Sequence, residues 1–442
     1  MIELPFRSFA AKVSGTLKAR SPQETPSPET PRILAIHRYY WPDTPPYASI
    51  LRTIASQWTD AGRQVDVLTS QPSYKPDANI GKRARSEVVD DVKVHRLPLP
   101  SDRRGKVQKL INTGLFPLLV FLRVAFGRKY DVIMCSTAPP VLLGFAVAAA
   151  ARMRGSQFIY HCMDLHPEIG ALSGEFANPL IYRALLRLDI WTCRQASSVV
   201  VLSEDMLNVL VERDHDIADR VQIINNFDLP DYADSSELSL ERAAGEADVD
   251  RIRVVFAGNL GRFQGLQDIV RAAGRLDDRR SGSLEIIFMG DGIAKEELMA
   301  LAAEAEASRP SLRIRFLPHG SPAQARALMR TADYGLVPLI PEVIRYAYPS
   351  KVATYLSENL PVIAVVEPDS ELARMVSGER IGFVAAPGDT AGLTQVLDDT
   401  ITAKDELPSI RGQVTAVASG RFSRTAILER WDGLLSQSHQ RT

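Results

Sequence analysis

The stretch Y-A-Y-P-S-K-V-A-T-Y-L-S-E-N-L-P-V-I-A-V-V-E-P-D-S-E, Tyr346 to Glu371, sets an aromatic loop, a short helix and a buried strand in one phase. Pro349 suits the first helical position, where a missing N–H has no intrahelical bond to lose. Pro361 closes the helix and opens an apolar, β-branched strand predicted over Val362–Val366. At the helix start, Ser350 and Lys351 stand beside free backbone N–H groups and the positive end of the helix dipole. That combination suits a phosphate. Taken alone, Lys351 fits equally well as a solvated first-turn lysine in an ordinary βα unit.

Outward from this segment the same alternation repeats in both directions. Upstream, strands are predicted at Arg253–Ala257, Leu284–Met289, Arg313–Leu317 and Tyr334–Pro338, each followed by helical periodicity. Earlier still, R-I-L-A-I-H reads as a buried parallel strand, Tyr39–Tyr47 as a loop, Ala48–Ala61 as a helix stopped by Gly62, and Gln64–Thr69 as the next strand. Further strands are predicted at Lys93–Leu97, Asp131–Cys135, Gln157–His161, Ser198–Leu202 and Val221–Asn225. The fold class is therefore α/β, with two doubly wound, Rossmann-like domains spanning 32–226 and 252–420. The acidic stretch 227–251 reads as a linker between them, and the Pro-rich 1–31 as a flexible tail. Residues 421–442 include an amphipathic helix with Ile427, Trp431 and Leu434 on one face.

Length and charge narrow the function classes. A chain of 442 residues exceeds one ordinary core, and a net charge of −1 supplies no global field for nucleic acid. Cys135, Cys162 and Cys193 lack metal-ligand spacing and suit buried thiols in a reducing, cytoplasmic compartment. The D-x-D triplets at Asp214–Asp216 and Asp248–Asp250 sit in polar connections, so no metal is implied. Two apolar runs stand out. Val141–Met153 is too short to span a bilayer and reads as a crossover helix. Leu110–Phe126 is interrupted by Asn112, Pro117 and Arg123 and flanked by Arg103, Arg104, Lys106, Lys109, Arg128 and Lys129. Residues 103–129 suit a segment lying against a membrane surface, or else a core helix with a solvated basic face.

Four motifs carry chemistry. V-V-F-A-G-N-L-G-R-F-Q-G runs a strand into a loop with Gly258, Asn259, Gly261, Arg262 and Gly265, where backbone can approach a diphosphate; Gly-rich turns also serve as plain connections. I-I-F-M-G-D-G, with Gly290, Asp291 and Gly292, ends the next strand, and L-P-H-G, with His319, ends the one after. Ser370 and Glu371 follow Val362–Val366 and fit either a ligand contact or an ordinary helix start. H-C-M-D-L-H-P-E, His161 to Glu168, puts two histidines and two acids at a strand end. It is the strongest acid/base cluster in the chain, and Asp164 fits also as a helix cap.

Taken together, P-S-K with N-L-P-V, G-N-L-G-R-x-Q-G and D-L-H-P-E resemble the motifs of family 4 glycosyltransferases of the GT-B fold. The nearest likeness is to the subgroup that builds bacterial exopolysaccharide, O-antigen or colanic acid on lipid carriers. The resemblance covers Arg32 to Leu435. It implies two Rossmann-like domains facing a cleft, with the last helix crossing back to the first domain. It also implies transfer of a sugar, with retention, from a nucleotide diphosphate, UDP foremost, to a lipid-linked or growing polysaccharide acceptor, without metal or cofactor, at the inner face of a bacterial cytoplasmic membrane.

Residue by residue, the resemblance assigns Gly258, Asn259, Gly261, Arg262, Gly290, Asp291, Gly292, His319, Ser350, Lys351, Ser370 and Glu371 to the donor. Arg262 and Lys351 would stabilise the leaving diphosphate, and Asp164, His166 and Glu168 complete the catalytic candidates. Tyr47, Ser136, Thr137 and His161 are the candidate acceptor contacts. The chain also departs from the broad family. Tyr346 and Thr354 stand where many members carry two glutamates, Asn259 and Gln264 where many carry arginine and lysine, and Pro45–Pro46–Tyr47 where many carry two glycines. The missing carboxylates leave two alternatives: a silent nucleotide-sugar-binding partner of an assembly complex, or a nucleotide-sugar epimerase on the same fold.

Overall fold

A computed structural model describes residues 30–43, 45–73, 82–100, 105–229, 251–277 and 282–440. The tail before residue 30, Arg103, Arg104, linker residues 230–250 and the triplet Asp248–Asp250 lie outside the described residues. The first sheet contains β1 (Arg32–Ile36), β2 (Gln64–Ser70), β3 (Ser86–Val89), β4 (Val92–Leu97), β5 (Val132–Ser136), β6 (Gln157–His161), β7 (Ser198–Val201) and β8 (Val221–Ile223). Its order is β3-β4-β2-β1-β5-β6-β7-β8, parallel throughout except for β3, which runs antiparallel to β4. The second sheet contains β9 (Arg251–Ala257), β10 (Ser283–Met289), β11 (Leu312–Leu317), β12 (Tyr334–Pro338), β13 (Val362–Val365) and β14 (Gly382–Ala385). Its order is β11-β10-β9-β12-β13-β14, all parallel.

The central strands are buried on both faces, which is why they read as continuous apolar runs rather than alternating ones. V-I-M-C-S of β5 has no exposed residue, and Ile33 of β1 pairs with Val132 of β5 in the middle of the first core. In each sheet the strand order reverses beside the first strand, between β1 and β5 and between β9 and β12. At such a point the flanking loops diverge and leave a crevice at the carboxyl edge. Both crevices receive the motifs singled out in the sequence.

β3 and β14 were not anticipated. S-E-V-V is a short, half-exposed edge strand and G-F-V-A has only Ala385 fully buried, so neither shows a buried-strand pattern. The apolar run carrying Asn112, Pro117 and Arg123 lies in one continuous helix, Lys106–Phe126. Asn112 fits inside it because its buried amide donates to the Pro100 carbonyl at 2.7 Å. Asp214 is not a loose acid of a D-x-D pair: it caps the short 3-10 helix His215–Arg220 and pairs with Arg194 at 2.6 Å.

The helix Arg424–Gln440 lies on the first domain. Trp431 meets Trp58 edge-on at 6.1 Å, and Asp432 pairs with Arg63. Both indoles are fully buried, in a cluster that includes Ile54, Ile427 and Leu434.

Candidate functional site

On the second sheet, the loops after β9 and β10 lock together through backbone. Gly258 N–H donates to Met289 O at 2.9 Å and Leu260 N–H to Asp291 O at 3.0 Å. A side chain at Gly290 would place its Cβ 1.9 Å from the Gly258 carbonyl, and Gly290 also has φ +149°. That position therefore admits only glycine. Gln264 does not imitate the lysine found there in many relatives. Its side-chain oxygen accepts the Gly261 N–H at 3.1 Å and closes the loop. Arg262, beside it, is exposed and has no ion-pair partner among the described residues.

Lys351 reaches into this loop. Its ammonium lies 4.7 Å above the Phe256 ring, and Nζ is 3.0 Å from where a Gly258 Cβ would stand. No carboxylate pairs with it among the described residues. Burial without a counter-ion lowers its pKa to about 8. The helix behind it, Lys351–Ser357, has only seven residues, and Ser350 makes no capping hydrogen bond. The cation rather than the helix dipole is the principal positive feature.

Asp291 and His319 sit at the ends of β10 and β11. The Asp291 carboxylate is exposed and pairs with Lys295 at 2.5 Å, which lowers its pKa. His319 is exposed beside it. Ser370 is a helix cap: its hydroxyl accepts the Ala373 N–H at 3.2 Å and donates to Glu367 O at 2.6 Å. Glu371 points across the cleft, where its carboxylate accepts the Glu204 N–H at 2.7 Å. Its own N–H donates to Asp205 at 3.0 Å. Glu367 was missed. One of its oxygens accepts the Glu342 N–H at 2.6 Å, where Glu342 has φ +73°, while the other is buried without a hydrogen-bonding partner among the described residues.

Across the cleft, the loop after β6 meets the aromatic loop of the opening segment. Asp164 forms an antiparallel bridge with Ala347, and Leu165 N–H donates to Tyr346 O at 2.7 Å. Asp164 is partly buried with no side-chain partner among the described residues, and desolvation raises its pKa to about 6. His166 is held neutral, its pKa lowered to about 4 by burial and then by Arg213, and its buried Nδ1 has no hydrogen-bond partner among the described residues. Glu168 is withdrawn from the cleft into a buried pair with Arg213. That guanidinium also pairs with Asp189 at 2.8 Å, and Asp189 in turn accepts the Tyr160 hydroxyl at 2.9 Å.

The four candidate acceptor residues are all buried. Three of them join a residue that the sequence did not single out, His37, at the end of β1. His37 Nδ1 shares a short hydrogen bond with Ser136 Oγ. The Tyr47 hydroxyl bonds to His161 Nδ1 at 3.0 Å, and the His37 and Tyr47 rings meet edge-on at 4.5 Å. Burial lowers both histidines to about 3, so the cluster is neutral. The recoverable clue was positional: a histidine at the end of the first strand, beside the switch point.

Two Rossmann-like domains facing one cleft, with glycine-lined loops on one wall, make up the GT-B fold. Residues 47–226 match the family model described as a glycosyl transferase 4-like domain. A probable glycosyltransferase of Pseudomonas aeruginosa, WbjE, is 25% identical over 352 residues, covering 76% of this chain and 84% of the relative. A putative colanic acid biosynthesis glycosyl transferase of Escherichia coli, WcaI, is 23% identical over 343 residues, covering 72% and 79%. The crystal structure of Anabaena HepE in complex with UDP superposes with a TM-score of 0.64 at 17% identity, covering 92% of this chain and 100% of that one. Residues 47–226 thus match a glycosyl transferase 4-like domain, and the chain is a glycosyltransferase.

Proposed function

We propose that the enzyme moves a sugar, with retention, from a UDP-sugar to a lipid-linked or growing surface-polysaccharide acceptor, at the cytoplasmic face of a bacterial inner membrane. The observation that carries this reading is the Lys351 ammonium packed against Gly258, with Arg262 in the same loop, neither with an ion-pair partner among the described residues. Two cations without counter-ions beside tightly packed glycines suit a diphosphate. UDP as the nucleotide is supported by HepE, whose structures hold UDP and UDP-glucose. A surface-polysaccharide acceptor is supported by the description of WcaI.

In this mechanism the bond from the anomeric carbon to the diphosphate oxygen breaks as Lys351 and Arg262 take up the developing charge. The acceptor oxygen bonds to the same face of that carbon, and its proton passes to the departing phosphate. No protein base is required for that transfer. Asp164, with a pKa near neutrality, stands on the acceptor wall and orients the incoming hydroxyl as a carboxylate. No metal or cofactor is invoked.

Isothermal titration with UDP, GDP and ADP tests the reading, repeated on Lys351→Ala. Saturable UDP binding that the substitution weakens is the expected result, and absence of all nucleotide binding overturns it. Turnover assays separate the transferase from an epimerase, which would convert donor with no acceptor present.

A further inference from the structure

The buried cluster around His37 is one continuous hydrogen-bonded chain. His37 Nδ1 bonds to Ser136 Oγ, the Ser136 hydroxyl to the Tyr47 hydroxyl, and Tyr47 to His161 Nδ1 at 3.0 Å. His37 follows β1, Ser136 ends β5, His161 ends β6 and Tyr47 opens the helix Pro46–Asp60, so the chain lies across the switch point between β1 and β5.

Proton counting restricts such a chain. Each hydroxyl has one proton to donate, and a neutral imidazole carries its proton on one ring nitrogen only. All the links are made only if every proton points the same way. One histidine must then hold its proton on Nδ1 while the other leaves Nδ1 bare. The two rings are thereby locked in opposite tautomers.

The far end decides the direction. His161 Nε2 is buried with no hydrogen-bond partner among the described residues, and its ring meets Trp431 at 4.8 Å with the planes 61° apart. Among aromatic surface an N–H is drawn to the negative face of a ring, whereas a lone pair gains nothing there. His161 therefore carries its proton on Nε2 and accepts the Tyr47 proton at Nδ1. Tyr47 accepts from Ser136, and Ser136 from the Nδ1–H of His37. His37 Nε2 is left bare, and no described residue bonds to it.

We infer that His37 presents this bare Nε2 to the crevice and accepts a hydrogen bond there from a hydroxyl of the acceptor sugar. Trp431, acting through His161, Tyr47 and Ser136, holds the tautomer that can accept it. The contact rests on the acceptor reading proposed above; the tautomers do not. The hydroxyl it takes is not the nucleophile, so no proton is transferred to His37. Its effect is selection: a sugar lacking that hydroxyl leaves a buried acceptor unpaired.

Nitrogen NMR of the histidine rings in the full chain tests the tautomers, with signals assigned by their loss in His37→Gln and His161→Gln. His37 is expected to be protonated on Nδ1 and bare on Nε2, and His161 the reverse. The opposite pair, or one tautomer at both rings, would overturn the inference. Tyr47→Phe cuts the chain and Trp431→Leu removes its far end; each should turn both histidines into tautomer mixtures, and Tyr47→Phe keeps the test open if the last helix fails to dock. Unmixed wild-type tautomers in Tyr47→Phe would show that the chain does not set them. The contact is tested with n-octyl β-D-glucoside as acceptor probe in the presence of UDP. His37→Leu should weaken glucoside binding about tenfold with UDP affinity unchanged, and His37→Gln, whose amide oxygen reaches toward the Nε2 position, should restore part of it. Glucoside binding that ignores His37→Leu would overturn the contact. Opposite tautomers in a protein that binds no nucleotide would keep the chain and sink the donor assignment alone.

Discussion

Asp205 and Glu371 cap each other's helices across the interdomain cleft. Glu371 N–H donates to the Asp205 carboxylate at 3.0 Å, while the Glu371 carboxylate accepts the Glu204 N–H at 2.7 Å. Arg374 adds an ion pair to Glu204 at 2.6 Å. Each carboxylate satisfies a helix end that belongs to the other domain, so the caps form only while the domains are in register. Asp205→Ala and Glu371→Ala should each cost about 1 kcal/mol in denaturant unfolding. The double variant should cost less than the sum, because losing one cap loosens the other. Strict additivity would show that the two caps act independently. Small-angle scattering should register a more open molecule in both single variants.

The lowered pKa of Lys351 fixes the sign of a pH effect. Below about 8 the ammonium is charged and can hold a diphosphate; above that it is neutral. UDP affinity is therefore expected to fall as pH rises through 8, and binding near that pH should take up a proton from the buffer. Folding stability runs the other way. The folded pKa lies below the unfolded lysine value, so the charged form is disfavoured by folding and stability increases between about 8 and the ordinary lysine range. Lys351→Met should thus keep or raise the melting temperature while lowering turnover by roughly a hundredfold or more. A melting temperature several degrees lower would contradict the assignment.

Arg213 supports the Asp164–His166 loop from behind. It pairs with Glu168 and Asp189 and donates to the His166 carbonyl at 3.3 Å. Arg213→Ala leaves two acids buried without their counter-ion and should cost about 3–5 kcal/mol. Adding Glu168→Gln should recover part of that loss, measurable in the same unfolding series.

Asp164 is expected to set the acid limb of turnover. Its pKa is raised to about 6, so if its carboxylate orients the acceptor as proposed, the rate should fall as pH drops through 6. Asp164→Asn should lower turnover by about a hundredfold, flatten that limb and leave UDP affinity unchanged. A retained acid limb would assign it to another group.

What the sequence made legible was local. The strand–turn–helix units of both sheets follow from apolar runs punctuated by glycine and proline, and the Gly258 loop with Lys351 follows from motif order. What it hid was contact at a distance. Nothing in D-L-H-P-E distinguishes Asp164, without a side-chain partner among the described residues, from Glu168, which Arg213 takes up from 45 positions away. Nor does S-E-L-A announce that Glu371 meets Glu204 and Asp205, more than 160 positions earlier on the other domain. Glu367 and His37 carry no motif at all; the loops and strand order give them their neighbours.

The helix bearing Trp431 also constrains the order in which the molecule can be made. Its indole packs 4.8 Å from the His161 ring and against Trp58, so it closes the core beneath the His161–Tyr47 cluster. A ribosome completes every strand of both sheets before it synthesises that helix. During translation the first domain must wait, with Trp58 and its neighbours uncovered, until the second has emerged. The chain thus completes the core under His161 last, after the loops that carry Gly258 and Lys351.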